Sequence, residues 1–328
     1  MHKFEELSAQ FIEKFSTEHF PLQPETLYGP NRYFLQLGGK RIRPVLCLMG
    51  NELFDQINAD AWHVANAVEL FHNFTLIHDD IMDKAPLRRS MQTVHVKFGE
   101  STALLAGDVM LVTAYDYLNK ISNKYIFSVI NLFNKTAKEV CEGQQLDMDF
   151  SQSDPLGEKN EKVSFDDYLQ MINLKTSVLL AASLKMGAIL GGAGERNQNL
   201  IYEFGRKLGL AFQVQDDYLD AFGNPEKFGK QLGGDIMANK KTFLLIHALE
   251  TASAQQKQYL QLLLNDEATN KVQDVIHIFK ECKVDEWAKE LKEKYLSEAF
   301  THLEDIAVLS KRKEPLKQFA SFLVQRES

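Results

Sequence analysis

Apolar residues recur along most of the chain at intervals of three and four positions. The stretch that contains Leu70, Phe71, Phe74, Ile77 and Ile81 shows this spacing, which places apolar side chains along one face of an α-helix. Alternating apolar and polar runs bounded by Asn-Gly or Asp-Gly turns, which would predict hairpins, do not occur in the sequence. The pattern therefore predicts an all-α protein of ten or more helices.

Proline and glycine indicate where the predicted helices end. Long proline-free stretches follow Pro86, Pro155 and Pro225, and each has helical spacing. Loops are expected between them and near the N-terminus, at residues 21–31, 84–91, 151–162, 191–199 and 222–239.

Composition narrows the class of protein. The 328 residues correspond to about two average domains. The excess of 45 Asp and Glu over 37 Lys and Arg gives a net charge of −8, which argues against a general nucleic-acid partner. Three cysteines are too few for a disulfide framework. We find no signal peptide and no uninterrupted apolar run of about 18 residues, so a cytoplasmic protein without a transmembrane helix is expected.

Two short acidic segments resemble each other. Residues 77–83 read IHDDIMD and residues 214–220 read VQDDYLD. Their acids are Asp79, Asp80 and Asp83 in the first cluster, and Asp216, Asp217 and Asp220 in the second. Helix positions i and i+4 lie about 6 Å apart, so the first and last acids of each cluster project together. Their apolar neighbours make unpaired carboxylates costly, and Mg²⁺ shared with substrate phosphates would offset that cost. For a single cluster, a solvent-exposed acidic helix face is as good an explanation as a metal site. It is a poorer explanation for two clusters with the same pattern.

Basic residues occur in small groups that could bind a phosphate. They are Lys40, Arg41 and Arg43 beside a glycine pair, then Arg88 and Arg89, Lys175 followed by Thr176, and Lys240 with Lys241. Arginine binds phosphate through two parallel hydrogen bonds, and lysine binds it as a point charge. His72 lies two turns before Asp79 and could also contact phosphate, although a core histidine explains the spacing equally well. The combination of acids and cations predicts a site for a polyphosphate and Mg²⁺.

Taken together, these motifs resemble the trans-isoprenyl diphosphate synthases, or polyprenyl synthetases, in the family's order from about Gln36 to Thr242. The matching segments are GGKRIRP at 38–44, LIHDDIMD at 76–83, RR at 88–89, FG at 98–99, LAGD at 105–108, GQ at 143–144 with Asp147, KT at 175–176, FQVQDDYLD at 212–220, GK at 229–230 and GD at 234–235.

The resemblance implies an all-α helical bundle of the isoprenoid-synthase type around a central cavity. The two aspartate clusters would face each other across its mouth. Because both halves of the chain would then build one site, a single polyprenyl synthetase domain, residues 1–328, is expected in place of two domains. A homodimer is implied as well.

The resemblance also implies an activity. A Mg²⁺-dependent prenyltransferase would condense isopentenyl diphosphate with dimethylallyl, geranyl or farnesyl diphosphate. Three Mg²⁺ ions would be bound by Asp79, Asp83 and Asp216, with Asp80, Asp217 and Asp220 supporting. The allylic diphosphate would also be held by Arg88, Lys175, Thr176, Gln213 and Lys230. Isopentenyl diphosphate would be held by Lys40, Arg43, His72 and Arg89.

In the implied mechanism, charge that develops on the leaving diphosphate is neutralised, and the allylic C–O bond ionises. Asp79, Asp83, Asp216, Lys175 and Lys230 would serve as the catalytic set. The double bond of isopentenyl diphosphate attacks the cation, and a proton then passes to the departing diphosphate. Apolar cavity walls must exclude water, which would quench the cation.

The implied product length depends on the helix before the first cluster. A single aromatic, Phe74, five positions before Asp79 resembles the pattern of C20 (geranylgeranyl) synthases. C15 (farnesyl) synthases resemble two aromatics there or a longer first motif, and C15 stays the alternative. Thr75 lies one turn beneath Asp79, whereas Phe74 lies about 140° around the helix, so its role as a floor rests on the resemblance. Phe71 could narrow the tunnel too, and Phe74 could be an ordinary core residue.

Two other protein classes fit less well. Terpene cyclases share the first aspartate motif, but their second metal site typically carries Asn or Asp, then Ser or Thr, then Glu. A non-catalytic helical subunit of a heteromeric synthase would be expected to lack the aspartate clusters. Here the second site reads DDYLD at 216–220, and the segment at 38–44 is suited to a second diphosphate, which together argue against a cyclase. The intact acids at Asp79, Asp83, Asp216 and Asp220 argue against a non-catalytic subunit.

Overall fold

The computed structural model describes residues 1–15, 19–152, 163–223, 232–265 and 270–325. The helices in these ranges are α1 (Phe4–Lys14), α2 (Glu25–Gln36), α3 (Ile42–Glu52), α4 (Ala59–Met82), α5 (Val94–Phe98), α6 (Glu100–Leu118), α7 (Ile126–Gln152), α8 (Phe165–Ile172), α9 (Val178–Leu190), α10 (Glu195–Phe222), α11 (Gly234–Met237), α12 (Phe243–Thr251), α13 (Ala254–Asn265), α14 (Lys271–Glu281), α15 (Val284–Glu304) and α16 (Ser310–Gln325). A π-helical turn, Asn173–Ser177, joins α8 to α9. The predicted all-α class is confirmed.

The strands of the described ranges form one short hairpin, β1 (Leu87–Arg88) and β2 (Met91–Gln92). The two strands are antiparallel, with Arg88 opposite Met91. This hairpin occupies the expected loop at residues 84–91.

Side-chain caps fix where some of the helices begin. The Asn58 side chain accepts a hydrogen bond from the Ala61 amide at 3.0 Å, at the start of α4. Ser164 and Asp167 form a reciprocal capping box at the start of α8.

The predicted loop at residues 21–31 is wrong over its second half. Pro24 stands at the N-cap of α2, and Pro30 lies inside that helix. Proline is tolerated at the N-cap because the amide hydrogens at a helix start have no partner within the helix. Pro30, the sixth residue of α2, instead leaves the helix without one of its backbone hydrogen bonds. Similarly, α10 begins at Glu195, inside the loop expected at 191–199.

The contacts between residues divide the chain into two compact units. The first comprises Met1–Lys135, Ala182–Tyr202 and Ile306–Leu316, and the second comprises Thr136–Ala181, Glu203–Asp305 and Lys317–Ser328. The single domain that the sequence predicts stays a prediction.

The first unit is built around α4, which packs against α3 and most extensively against α6. The buried face of α4 includes Val64, Val68 and Phe71. A buried ion pair between Arg41 and Glu69 joins the start of α3 to α4, and the Asn73 amide donates to Glu69 at 2.9 Å. Pairing of this kind is what allows two charged side chains to stay in a core.

The second unit contains an aromatic cluster that holds α8, α12 and α15 together. The Trp287 ring of α15 stacks on His247 of α12, with centroids 3.8 Å apart. It also contacts Phe243 of α12 at 5.6 Å and Phe165 of α8 at 5.2 Å. Tyr168 of α8 lies beside Phe243, with centroids 5.9 Å apart. The cluster therefore fixes the position of α8, which leads into the π-helical turn.

One continuous helical stretch, Phe165–Leu190, is long and apolar enough to cross a membrane by length and composition, with a mean hydropathy of 1.2. No transmembrane helix is expected from the sequence, because no uninterrupted apolar run of about 18 residues occurs in it. Of its most apolar 18-residue window, 72% is buried inside the protein, as is usual for a core helix. The predicted cytoplasmic location stays a prediction.

Candidate active site

The first aspartate cluster lies at the C-terminal end of α4. Asp83 is the C-cap residue, and its amide donates to the Asp79 carbonyl at 2.8 Å. Asp80 is fully buried, and Arg88 of the hairpin binds both of its carboxylate oxygens, at 2.8 Å from Nε and 2.8 Å from Nη2. Asp79 is half-buried and Asp83 is exposed. A cation therefore neutralises Asp80, which leaves Asp79 and Asp83 as the more accessible acids.

The hairpin also positions the second arginine of the RR pair. Arg89 and Ser90 form the two-residue turn, and both have left-handed φ angles, 53° and 64°. Asn-Gly usually occupies such a turn, and other residues adopt it at a cost of about 1 kcal/mol each. A Cβ atom added to Gly39 would lie 2.8 Å from the Arg89 guanidinium. Glycine at 39 therefore leaves space for Arg89 to lie against the GGKR segment.

Arg43 and His72 contact each other directly, with Nη1 3.0 Å from Nε2. Burial, and then the charges of Arg43 and Arg89, hold the pKa of His72 well below its usual value. The ring is therefore neutral and accepts a hydrogen bond from Arg43 through Nε2. Burial lowers the pKa of Arg43 to about 10, so it stays cationic at neutral pH. The structure thus places a cation and a neutral histidine together.

Two other cations of the GGKRIRP segment differ from each other. Lys40 is exposed. Arg41 is buried in its ion pair with Glu69 and also donates to the Leu35 carbonyl at 3.0 Å. Arg41 stabilises the core and is not one of the phosphate-facing cations counted from the sequence.

Two of the three residues predicted to set product length, Phe74 and Phe71, form part of a packed aromatic row. The Phe74 ring meets His78 edge-on at 4.7 Å and lies 5.7 Å from Phe71. Phe71 is buried and contacts Phe133 at 5.2 Å. The Thr75 hydroxyl donates to the His72 carbonyl at 2.8 Å, so it is satisfied within α4. The row runs from the first unit's core to the residue before Asp79.

The predicted Lys175–Thr176 pair lies in the π-helical turn, a deformation common at functional sites. The turn is closely packed against two glycines. A Cβ on Gly143 would lie 2.3 Å from the Lys175 amide nitrogen, and one on Gly209 would lie 2.7 Å from Ser177. Lys175 donates to Asp147 at 2.5 Å. Gly143 and Asp147, both quoted from the GQxxD element, therefore hold Lys175 in place.

Asp217, the middle acid of the second cluster, is buried like Asp80 but has different partners. The Tyr168 hydroxyl donates to Oδ2, and the Gln213 amide donates to Oδ1 at 2.8 Å. The Thr176 hydroxyl donates to Gln213 at 3.4 Å. Burial, and then the charge of Asp235, raise the pKa of Asp217 to about 7.

A further acid, Asp235 of α11, adjoins the second cluster. Its amide donates to Asp220 Oδ2 at 3.0 Å, and its carboxylate lies 3.1 Å from Lys240 Nζ. Burial, and then the Asp235 charge, raise the pKa of Asp220. Asp216 is half-buried on α10. Mutual repulsion among these acids favours a bound cation, because a cation would remove the penalty of holding them ionised together.

Several of these second-unit residues, though not Asp216 or Asp220, line a pocket of about 190 Å³. The lining includes Asp147, Tyr168, Lys175, Thr176, Gln213, Asp217, Asp235, Lys240 and Lys241. Tyr168 lies outside every motif of the sequence and was not predicted, and Asp235 was predicted only as part of the GD pair. Lys230 and the rest of 224–231 lie outside the described residues.

The donor set fits a cation that the substrate helps to bind. Within the parts of the chain that the structure describes, no group of three or more His, Cys, Asp or Glu side chains forms a metal cage. Mg²⁺ does not need one, because it commonly combines one or two carboxylates with phosphate oxygens and water. Carboxylates beside phosphate-binding cations supply that combination.

Comparison with known proteins identifies close relatives. The polyprenyl synthetase family model matches residues 24–282. The chain is 39% identical to the geranylgeranyl diphosphate synthase of Methanosarcina mazei over 93% of this chain and 91% of that protein. It is 35% identical to the short chain isoprenyl diphosphate synthase of Methanothermobacter thermautotrophicus over 100% and 98%. A crystal structure of a geranylgeranyl pyrophosphate synthase superimposes with a TM-score of 0.92 at 40% identity, covering 100% of both chains.

Proposed function

The chain belongs to the polyprenyl synthetase family, and we propose that it condenses isopentenyl diphosphate with an allylic diphosphate to make geranylgeranyl diphosphate (C20). Members of this family use isopentenyl and allylic diphosphates and generally depend on a divalent metal ion. We propose that each active site binds three Mg²⁺ ions.

The observation that carries the proposal is that each unit combines accessible carboxylates with its own cations. In the first unit, Asp79 and Asp83 occur with Arg43 and Arg89. In the second unit, Asp217 and Asp235 line the same pocket as Lys175 and Lys240. A reaction that joins two diphosphate substrates needs two sets of anion-binding groups, whereas a cyclase acts on one diphosphate.

The second unit supplies groups for the allylic diphosphate. Lys175 and Lys240 provide positive charge, and the Gln213 amide provides a neutral donor. These groups oppose the negative charge that accumulates on the diphosphate as its C–O bond breaks, which lowers the barrier to ionisation. Asp79 and Asp83 in the first unit and Asp216 in the second would bind the Mg²⁺ ions, with the other cluster acids supporting them, and the ions would supply further charge neutralisation.

The first unit supplies groups for isopentenyl diphosphate. Arg43 and Arg89 are suited to two parallel hydrogen bonds with phosphate oxygens. Neutral His72 accepts from Arg43 and so orients its guanidinium, and Lys40 adds an exposed charge. These side chains hold the nucleophilic substrate, whose double bond attacks the allylic cation.

Two observations support C20 over C15. The Methanosarcina mazei relative is named a geranylgeranyl diphosphate synthase. Phe74 is the single aromatic at its position, and the first cluster has no inserted residues. We propose that Phe74 limits the chain, with Phe71 packed behind it.

We also propose that the active form is a homodimer. Several large apolar side chains of the first unit are exposed, among them Leu105 and Val112 of α6 and Phe127 of α7, which is 80% exposed. Leu105 and Val112 are seven positions apart on α6, which places them on one face of the helix, and an exposed apolar face is typical of an interface. Light scattering after gel filtration would give twice the chain mass, and a monomer would contradict this proposal.

The product assay tests the main proposal. Purified protein is supplied with Mg²⁺, labelled isopentenyl diphosphate and one allylic starter at a time, and chain length is read by chromatography after phosphatase treatment. A C20 product is expected. A C15 product keeps the condensation and overturns the role of Phe74. Release of diphosphate or a cyclic hydrocarbon without condensation overturns the proposal in favour of a cyclase.

A further inference from the structure

Tyr168 links the aromatic cluster of the second unit to the pocket. It lies on α8 with 3% of its surface exposed, its ring beside Phe243. Its hydroxyl reaches the pocket and donates to Asp217. The position of this hydroxyl is therefore determined by core packing, independently of any ligand.

Asp217 accepts one protein hydrogen bond on each carboxylate oxygen. Tyr168 donates to Oδ2 and Gln213 donates to Oδ1. Buried polar groups are costly to leave without partners, so both donors hold the carboxylate in one orientation. Each donor occupies one lone pair of a carboxylate oxygen, so together they fix how Asp217 is turned.

The direction of the hydrogen bonds follows from the chemistry of the side chains. The Gln213 amide nitrogen donates to Asp217 Oδ1 at 2.8 Å, so its amide oxygen faces away from the carboxylate. Its carbonyl oxygen then points to Thr176, whose hydroxyl donates to it at 3.4 Å. The bonds thus run from Thr176 to Gln213 to Asp217, with Tyr168 donating at the far end. One amide N–H of Gln213 is left for a ligand.

We infer that Tyr168 is a positioning residue that, by holding Asp217, orients Gln213 and Thr176 toward the allylic diphosphate. Asp217 in this arrangement is an anchor for those two side chains and not a metal ligand. The inference deepens the proposed function and rests on it.

The test compares Tyr168→Phe with Tyr295→Phe in the full-length enzyme. Both changes remove one hydroxyl from a buried tyrosine of the second unit, and Tyr295 lies on α15 outside the pocket lining. We expect Tyr168→Phe to raise KM for the allylic diphosphate about tenfold, the size of one hydrogen bond to a charged group. We expect kcat, KM for isopentenyl diphosphate and the Mg²⁺ concentration for half-activation to change less than about twofold. Tyr295→Phe should match the wild type.

A double-mutant cycle tests the route of the effect. Gln213→Leu alone should raise the allylic KM, and adding Tyr168→Phe should raise it little further, because the tyrosine acts through Gln213. Additive effects of the two changes would overturn the inference. So would a Tyr168→Phe enzyme whose Mg²⁺ requirement changes as much as that of Asp216→Asn, because Asp217 would then act as a ligand.

Thermal unfolding distinguishes positioning from general damage. Wild-type protein is heated with and without inorganic pyrophosphate plus Mg²⁺. The stabilisation by pyrophosphate should shrink in Tyr168→Phe and persist in Tyr295→Phe, even if both variants unfold at a lower temperature. Undiminished stabilisation and an unchanged allylic KM would overturn the inference. If the wild type does not condense the two substrates, the proposed function is wrong. If the wild type condenses them and Tyr168→Phe behaves like the wild type, only the positioning role of Tyr168 is wrong.

Discussion

Asp80 and Asp217 occupy the same place in two nearly identical motifs, yet different partners stabilise them. Arg88 binds Asp80 with a full positive charge. Neutral donors, Tyr168 and Gln213, bind Asp217. The shared sequence pattern therefore determines which acid turns inward, and residues distant in sequence determine how its charge is compensated.

The charges that surround the two clusters also differ. Near the first cluster, arginines hold the pKa of His72 down. Near the second, Asp235 adds to burial in raising the pKa of both Asp217 and Asp220. The first unit is thus poised to receive an anion, and the second unit carries a local excess of acid that a metal ion would relieve.

The largest effect should come from removing one accessible acid of either cluster. We expect Asp79→Ala and Asp216→Ala each to lower turnover by about 10³-fold, because each removes a carboxylate that helps to stabilise the leaving diphosphate. Steady-state condensation assays measure this, and circular dichroism checks that the helices persist. Asp116→Ala, an exposed acid on α6, is the control. Near-wild-type turnover in either cluster variant would show that the two clusters are not equivalent in function.

The next largest effect concerns stability and tests which groups stabilise the buried carboxylates of Asp80 and Asp217. Arg88→Met should destabilise the protein by about 2–3 kcal/mol, because it leaves the buried Asp80 charge without its cation. Gln213→Leu removes only one neutral donor from Asp217 and should cost about 1 kcal/mol. Urea unfolding measures both, and Asp80→Asn combined with Arg88→Met should recover part of the loss. Equal losses of unfolding free energy in Arg88→Met and Gln213→Leu would contradict the proposed difference in how Asp80 and Asp217 are stabilised.

A smaller effect should appear in the pH dependence of stability without metal. The folded pKa of Asp217, about 7, lies above the unfolded value. The folded state therefore binds more protons between about pH 4 and 7, and this carboxyl lowers stability as pH rises through that window. His72 has the opposite sign. Its folded pKa is depressed, so its contribution to stability falls as pH drops below about 6.5.

Thermal unfolding in EDTA separates these two contributions. Asp217→Asn should lose less stability than the wild type between pH 5 and 7. His72→Gln should lose less than the wild type between pH 7 and 5. Adding Mg²⁺ should stabilise the wild type more at pH 8 than at pH 5. The same pH response in both variants would contradict the opposite surroundings inferred for the clusters.

The sequence alone predicted what depends on local spacing. Helical periodicity identified α4 and α10, and the four-residue interval identified the paired acids. It missed what depends on residues distant along the chain. Tyr168 and Asp217 are 49 positions apart, and nothing near Arg41 indicates its burial against Glu69. The Arg89–Ser90 turn was missed for another reason, because neither residue is typical of a left-handed hairpin turn.

The smallest energetic effect concerns product length, and it separates α4 from α10 once more. Five positions before the first acid, α4 carries Phe74 and α10 carries the small, buried Ala211. If Phe74 limits the growing chain, Phe74→Ala should extend the product by at least one isoprene unit. A change of about 1–3 kcal/mol in how well the pocket accommodates a longer chain is enough to change the product length. Chromatography of the dephosphorylated products measures it, with Phe322→Ala, an exposed phenylalanine of α16, as control. An unchanged C20 product would make Phe74 an ordinary member of the Phe71–Phe133 aromatic row.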